Sequence, residues 1–371
     1  MKARAAIQWD RNVPWSVEEI DLEMPRSEEV MVRWVASGMC HSDDHARTGD
    51  MQTTLPVVGG HEGAGIVEEV GPDVTRLKPG DHVAASYIPA CGKCPSCASG
   101  HQNLCDNGYA VMTGRAMVDD TYRVSARGQD VGMMALVGTF STYSTVHHNS
   151  LVKIDQEIPL EYAAIVSCGV ATGWGSAVYV GEVRAGEVVV VVGCGGLGMS
   201  AIQGARFAGA EQIVAVDPVA VKRETALKLG ATDIAQSMEE ALPLVVDRTR
   251  GRLADVAILT VGVAHGTMIE PLMSFVKKGG RGVITAVTPL SETTVTLPLQ
   301  QFTLWQKQLR GNTFGGCNPQ SDIPKLLRLN QLGHLDLDTM ITARYALDEV
   351  NQGYADLLAG KNIRGVIAHE S

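Results

Sequence analysis

The residue types best suited to chemistry crowd into two short stretches: Gly38-Met39-Cys40-His41-Ser42-Asp43-Asp44-His45 and Gly60-His61-Glu62-Gly63. The first puts a thiol, two carboxylates, a hydroxyl and two imidazoles into little more than a turn of chain. The second sets another imidazole and its neighbouring carboxylate inside a glycine-rich run. Such a composition suits a metal site better than a core. A catalytic zinc takes three protein ligands of Cys, His or carboxylate type and keeps one position open. Cys40 and His61 supply two. The third must come from elsewhere, and Cys168 in Ser167-Cys168-Gly169 is the candidate. Alone, a Cys is more often a small buried hydrophobe and a His more often satisfies a local hydrogen bond, so the rest of the chain has to decide.

A second cluster is more specific. Cys91, Cys94 and Cys97 form two overlapping C-x-x-C steps, and Cys105 follows a short way on. Four thiolates close a zinc tetrahedron and leave no place for water or substrate, which makes this a structural site. The opposing reading, four free thiols, would leave an oxidation liability on the surface. The lobe 91–105 has little apolar content and depends on metal for its shape.

The third motif is a glycine turn. Glu187 to Val192 is a β-branched run of the kind that forms a strand buried on both faces. Gly193, Gly195, Gly196, Leu197 and Gly198 follow at once, then a small-residue helix over Met199–Ala208, then a strand Gln212–Val216 ending at Asp217. This is the dinucleotide fingerprint in its strand–turn–helix context. The pyrophosphate faces the helix N-terminus. Asp217 accepts hydrogen bonds from a ribose diol and repels a 2′-phosphate, which favours NAD over NADP. Lys222 and Arg223 are a counter-signal unless they form a solvated helix face; Lys222 stands among the cofactor-binding candidates.

The elements that must carry these motifs differ along the chain. The first third is dense in short strands and Gly/Pro turns, which predicts a β-rich, barrel-like domain. Within it Val30–Val35 reads as a strand, and Ser42 stands near the N-cap of a short helix. Residues 106–138 read as a long irregular segment, functional or interfacial. Past Cys168 the pattern becomes βα units: strands over Ala254–Thr260 and Gly282–Val287, a helix from His265 to Lys278 ending at Gly279-Gly280, and a last strand over Leu309–Gly316. Helices over 323–332 and 347–359 and a final strand near 364–367 follow. The fold class is α/β, in two domains, as 371 residues exceed one ordinary core.

Composition excludes several classes. A net charge of -10 argues against a broad nucleic-acid surface. No run is expected to reach the roughly 18 apolar residues of a membrane helix. The first ten residues lack the apolar stretch of a signal peptide. A cytoplasmic protein without membrane or nucleic-acid partners is expected, and its eight cysteines are then not a disulfide framework.

Along essentially its whole length the chain resembles the zinc-dependent medium-chain alcohol dehydrogenases. The resemblance rests on Gly38 to Asp43, Gly60 to Gly65, the Cys91/Cys94/Cys97/Cys105 lobe, Cys168-Gly169-Val170-Ala171-Thr172-Gly173 and Gly193 to Gly198, in the family's order and spacing. It implies a GroES-like catalytic domain over 1–169 with the structural-zinc lobe, a Rossmann NAD-binding domain over 170–312, and a return to the catalytic domain over 313–371. Cys40, His61 and Cys168 would hold the catalytic zinc, giving two zinc ions per subunit. Ser42 and His45 would relay the substrate proton. Glu62 and Asp43 would sit beside the metal, with Asp43 the partner of His61. His41 and Arg364 would contact pyrophosphate, and Thr172 would lie near the nicotinamide. A homo-oligomer, dimer or tetramer, is expected.

The implied reaction is oxidation of an alcohol to an aldehyde, or its reverse, by hydride transfer with NAD. The wording around Ile88–Cys94 and Leu136–Ser141 is similar to a bacterial nicotinoprotein branch, whose members keep NAD bound and pass electrons to another acceptor. It also resembles thiol-adduct formaldehyde dehydrogenases, in which Arg115, Arg123 or Arg127 would grip the adduct. Tyr87, Met51 and Phe140 would line a substrate pocket or belong to the core. Two rivals remain: a metal-free reductase of the same fold, and a nucleotide-binding structural protein with structural zinc only.

Overall fold

The computed structural model describes residues 1–369. They divide into two compact units. The first takes residues 1–168, 318–333 and 341 onward, and the second takes 169–317 and 334–340.

In the first unit the strands are β1 (Lys2–Gln8), β2 (Ser16–Leu22), β3 (Glu29–Met39), β4 (Val57–Val58), β5 (Glu62–Val70), β6 (His82–Ala85), β7 (Val124–Ala126), β8 (Gln129–Met133), β9 (Tyr143–His147) and β10 (Leu151–Lys153). The second unit contributes β11 (Val188–Val192), β12 (Gln212–Val216), β13 (Asp233–Ala235), β14 (Ala254–Leu259), β15 (Val276–Ile284) and β16 (Gln308–Gly311). The chain then adds β17 (Ile341–Tyr345) and β18 (Arg364–Ala368) to the first unit.

The barrel expected from the strand density is present, closed in the order β1-β2-β7-β8-β4. Beside it runs a sheet ordered β10-β6-β5-β3-β18-β17, with β9 also on β3. The segment expected to be irregular is more ordered than its sequence suggested. Residues 106–112 and 134–136 form 3₁₀ turns, and β7 and β8 make a hairpin that closes the barrel. Arg127 and Gly128 both adopt positive φ at its two-residue turn, the geometry that matches strand twist. The hairpin is too short for its periodicity to show.

In the second unit six parallel strands run in the order β13-β12-β11-β14-β15-β16, the doubly wound arrangement. All five valines of β11 are buried, as a central parallel strand requires. The helix after it begins at Gly196 and ends at Phe207. The helix expected to reach Lys278 stops at Ser274. Val276 already pairs with Ala254, and Gly279 and Gly280 fall in a register shift inside β15 rather than at a helix end. The strand expected over Leu309–Gly316 ends at Gly311, and Phe314–Gly316 is a 3₁₀ turn. One helical run, Leu160–Val180, is long and apolar enough to cross a membrane by length and composition, contrary to expectation. Its apolar window is 83% buried, as in a core helix.

Candidate active site

Three strands of the first unit aim their ends at one point. Gly38 near the end of β3 pairs with Glu62 at the start of β5 and with Val366 of β18, whose first residue is Arg364. Cys40 lies one residue past β3 and is the N-cap of the helix His41–Thr48, so Ser42 stands near the cap, as expected, two residues after it. His61 lies one residue before β5. Gly38 has to be glycine here, because a Cβ would fall on the Glu62 carboxylate and against Arg364.

The fourth contribution comes from the helix Leu160–Val180. Its regular coil gives way to a π turn at Val166–Val170, the kind of irregularity that re-aims side chains at functional sites. Cys168 sits in that turn. Ser167 fixes it, donating to the Ala164 carbonyl at 2.6 Å and accepting the Gly63 N–H at 3.2 Å.

Ligand atoms of Cys40, His61, Glu62 and Cys168 lie within 4.8 Å of one another, and all four residues are buried. The Asp43 carboxylate accepts from His61 Nδ1 at 2.9 Å and from the Cys40 N–H at 3.2 Å. That leaves the His61 Nε2 lone pair facing the sulfurs, buried and with no hydrogen-bond partner. A ligating imidazole usually donates its other N–H to a carboxylate. Two sulfurs, one such nitrogen and a neighbouring carboxylate are the donor set of a catalytic zinc site, and the residues fit it.

The electrostatics agree. A hydrogen bond from Cys168 holds the Cys40 thiol well below its ordinary range, against the effect of burial and with help from His61. Burial alone would push the His61 imidazole down, but Asp43 and Cys40 hold it well above. Burial pushes the Glu62 carboxyl up to about 7, opposed by Arg364. Glu62 and Arg364 form a closely contacting buried ion pair, and Arg364 Nε has no partner.

Around this set Ser42 Oγ lies 3.6 Å from Cys40 Sγ, and His45 is 1% exposed with Nδ1 3.1 Å from Asp50. The His41 ring stands 4.8 Å from that of His45. Two neighbours went unnoticed in the sequence. Asp50 had no motif to announce it. Tyr354, buried with its hydroxyl donating to the Cys40 carbonyl at 3.4 Å, is remote in sequence. Of the three pocket candidates, Phe140 is core, packed on Trp15 and Tyr354. Met51 and Tyr87 are partly buried against another core cluster, and the Tyr87 ring meets His61 edge-on at 5.8 Å.

The cysteine lobe is assembled as its spacing predicts. Cys91 and Cys97 sulfurs are 3.9 Å apart, as are those of Cys94 and Cys105. A zinc–sulfur distance of about 2.3 Å gives a tetrahedron edge of roughly 3.8 Å. Backbone N–H groups of Cys97 and Asp106 point at Cys94 Sγ, and they bring its thiol down to about 7. Burial pushes Cys97 up to about 12. Both groups of donor atoms are thus close enough together to hold a metal ion.

A third group, Glu28, His147 and His148, is wired differently. His147 Nδ1 accepts the Asn149 N–H and His148 Nδ1 accepts from Arg76. Their neutral rings therefore carry hydrogen on Nε2, the atoms a metal between them and Glu28 would need bare.

In the second unit Gly193 has φ of 96°, and a side chain there would strike the backbone of Thr260 and Val261. Among the described residues, none beyond its chain neighbours comes within 4 Å of where a Cβ at Gly195 would stand, so this face of the loop leaves room for a pyrophosphate. Gly195 is the N-cap of the helix that contains Gly196, Leu197 and Gly198. Asp217 directly follows β12, its carboxylate fixed by the N–H groups of Cys194 and Val219 at 2.8 and 2.9 Å. Arg223 donates from Nη1 to the Asp217 and Pro218 carbonyls, and Lys222 is half-buried near Cys194. Thr172 is buried in its helix, its carbonyl accepting from Ser176.

The family described as "Alcohol dehydrogenase GroES-like domain" matches residues 26–156, and that described as "Zinc-binding dehydrogenase" matches residues 196–331. Alcohol dehydrogenase B of Mycobacterium tuberculosis is 50% identical over 370 residues, covering 100% of this chain and 99% of the relative. The chain belongs to the zinc-binding alcohol dehydrogenase family. The NDMA-dependent alcohol dehydrogenase of Amycolatopsis methanolica is 48% identical over 371 residues, with all of both chains covered. A crystal structure of an alcohol dehydrogenase zinc-binding domain protein from Burkholderia ambifaria superposes with a TM-score of 0.93 at 32% identity, again over 100% of both chains. Family membership makes this an oxidoreductase that acts on alcohols with zinc and NAD.

Proposed function

We propose that this enzyme oxidises a small alcohol to its aldehyde at the site built by Cys40, His61 and Cys168, and that its NAD stays bound between turnovers. The carrying observation is the buried, partnerless His61 Nε2 aimed at two sulfurs. When bound, zinc supplies a Lewis acid that lowers the pKa of the alcohol hydroxyl, and NAD takes the hydride.

The chain's own residues do the rest. Asp43 fixes the tautomer and aim of His61. Ser42, at the edge of the ligand set, takes the proton from the substrate hydroxyl, and His45 carries it away. Glu62 stands ready as a further ligand or as the counter-charge of Arg364. His41 and Arg364 serve the cofactor's pyrophosphate, Gly193, Gly195, Gly196, Leu197 and Gly198 cradle it, Asp217 and Lys222 meet its ribose, and Thr172 meets its nicotinamide. Cys91, Cys94, Cys97 and Cys105 hold the structural zinc. On this reading the first unit is the catalytic domain and the second the NAD-binding domain, in a cytoplasmic homo-oligomer with no nucleic-acid or membrane partner.

The held cofactor is supported by the NDMA-dependent relative, as an enzyme with a separate electron acceptor would be named. The thiol-adduct alternative is disfavoured, because its three candidate cations are already engaged. Arg123 is buried against Glu29 and Asp119, Arg115 bonds Asp120 and Tyr122, and Arg127 bonds Glu18 beside Trp9. Purified protein, desalted, should keep the near-ultraviolet absorbance of reduced nicotinamide after exposure to alcohol. A spectrum without it makes the cofactor exchangeable. Cys40→Ser should abolish alcohol oxidation with circular dichroism unchanged; full turnover in that variant would support the metal-free reductase.

A further inference from the structure

The His45 imidazole is a poor end for a proton path, because it is 1% exposed. A group that takes a proton there needs a neighbour that reaches water. Asp50 is that neighbour. Its carboxylate lies 3.1 Å from His45 Nδ1, and its side chain is 31% exposed. We propose that Asp50 is the solvent-facing end of the site's proton path, holding the His45 ring with Nδ1 as donor and passing its proton to water. This rests on the reading of Ser42 and His45 as the relay.

The pair is built locally. Gly49 turns the chain back in the left-handed region, φ 89°, and the N–H groups of Gly49 and Met51 both bond the carbonyl of His45 itself, at 3.0 and 3.2 Å. Asp50, held between them, is thereby tied to the residue it serves. Thr48 Oγ1 donates to the same Asp50 oxygen at 2.8 Å. Those two hydrogen bonds, Thr48 first and His45 next, hold the Asp50 carboxyl below its ordinary range. An ionised carboxylate only accepts, so the hydrogen belongs on His45 Nδ1 and Nε2 is the accepting nitrogen of the ring. A carboxylate at a helix C-terminus is opposed by the helix dipole, at about 0.3–1 kcal/mol. Helix stability therefore does not explain the aspartate.

The transfer balances. A proton accepted at Nε2 makes an imidazolium held by Asp50. The Nδ1 proton then moves to Asp50 Oδ2, and the acid so formed gives it to water. Other charged or titratable groups around the pair are His41, whose ring is 4.8 Å from that of His45, Asp44 with its partner Arg47, the Cys40 thiol that also acts on His41, and Arg11, whose guanidinium overlies Gly49.

The test uses enzyme loaded with zinc and NAD. In Asp50→Asn, kcat for alcohol oxidation should fall about 10-fold or more below about pH 7. Added imidazole and Asp50→Glu should each recover part of it, with zinc and nicotinamide content unchanged. Nitrogen NMR of labelled histidine should show the His45 proton on Nδ1 in the parent and shifted to Nε2 in Asp50→Asn. A parental pH profile in Asp50→Asn, or a uniform loss at all pH with the tautomer unmoved, overturns the proposal. His45→Gln separates the two layers: if that variant keeps the parental profile the relay reading itself falls, whereas a changed profile there beside an unchanged Asp50→Asn sinks Asp50 alone.

Discussion

Asp43→Asn should release one zinc ion and spare the other. Asp43 is fully buried and holds both chain-adjacent arms of the catalytic ligand set, His61 Nδ1 at 2.9 Å and the Cys40 N–H at 3.2 Å. Asparagine keeps the size but offers one acceptor oxygen and an NH2 group. That NH2 must face one of the two donors. If it faces Cys40, a buried N–H is stranded at about 1–3 kcal/mol. If it faces His61, the ring protects itself by moving its proton to Nε2, the atom the metal needs. Loss of a partner of this kind costs about 10–100-fold in metal affinity. Because two donors depend on this one carboxylate, the upper end is expected, about 100-fold or about 2.7 kcal/mol. The assay is stepwise chelation with a colorimetric zinc indicator at neutral pH. The first zinc should leave Asp43→Asn at about one hundredth of the free-chelator strength needed by the parent, and alcohol oxidation should fall with it. The zinc held by the separate Cys91–Cys105 group of four cysteines should leave at the parental concentration. Two superimposable chelation curves, or an equal shift of both zinc ions, would refute the reasoning.

Two further outcomes follow from other parts of the structure. Gly38→Ala forces a methyl onto the Glu62 carboxylate and within 2.9 Å of Arg364 Nη2, so the buried pair must shift; a loss of about 1–3 kcal/mol is expected in calorimetric unfolding, and an unchanged Tm would show that the pair yields freely. His369, buried with Nε2 2.9 Å from Ser37 Oγ, has its imidazole pushed down to about 4 by burial. It stays neutral in the fold and charges more readily when unfolded, so its stabilisation is complete above pH 6.5 and is lost as pH falls toward 4. The difference is worth about 3 kcal/mol at 1.36 kcal/mol per pH unit. Denaturant titrations of His369→Gln should lose that slope between about pH 6.5 and 4, and a slope equal to the parent's would place the acid sensitivity elsewhere.

The sequence by itself determined the parts whose chemistry is local. The four-cysteine lobe is legible because metal coordination demands closely spaced thiols, and the Gly193–Gly198 turn because a strand, a tight turn and a helix must follow one another directly. Cys40 and His61 were legible as ligand types. What drew Cys168 to them was a π turn pinned by Ser167, and what set Glu62 against Arg364 was the register of β5, β3 and β18; neither leaves a periodic signal. The β7–β8 hairpin was missed because its strands are too short to alternate visibly, and the helix before β15 was overextended because only pairing with Ala254 stops it at Ser274. Asp50 and Tyr354 became partners of the site through a helix-terminal turn and through burial of a side chain from the far end of the chain. Residue types fixed which reactions were open to this protein, while strand register and helix irregularity, set by long-range packing, decided which atoms meet.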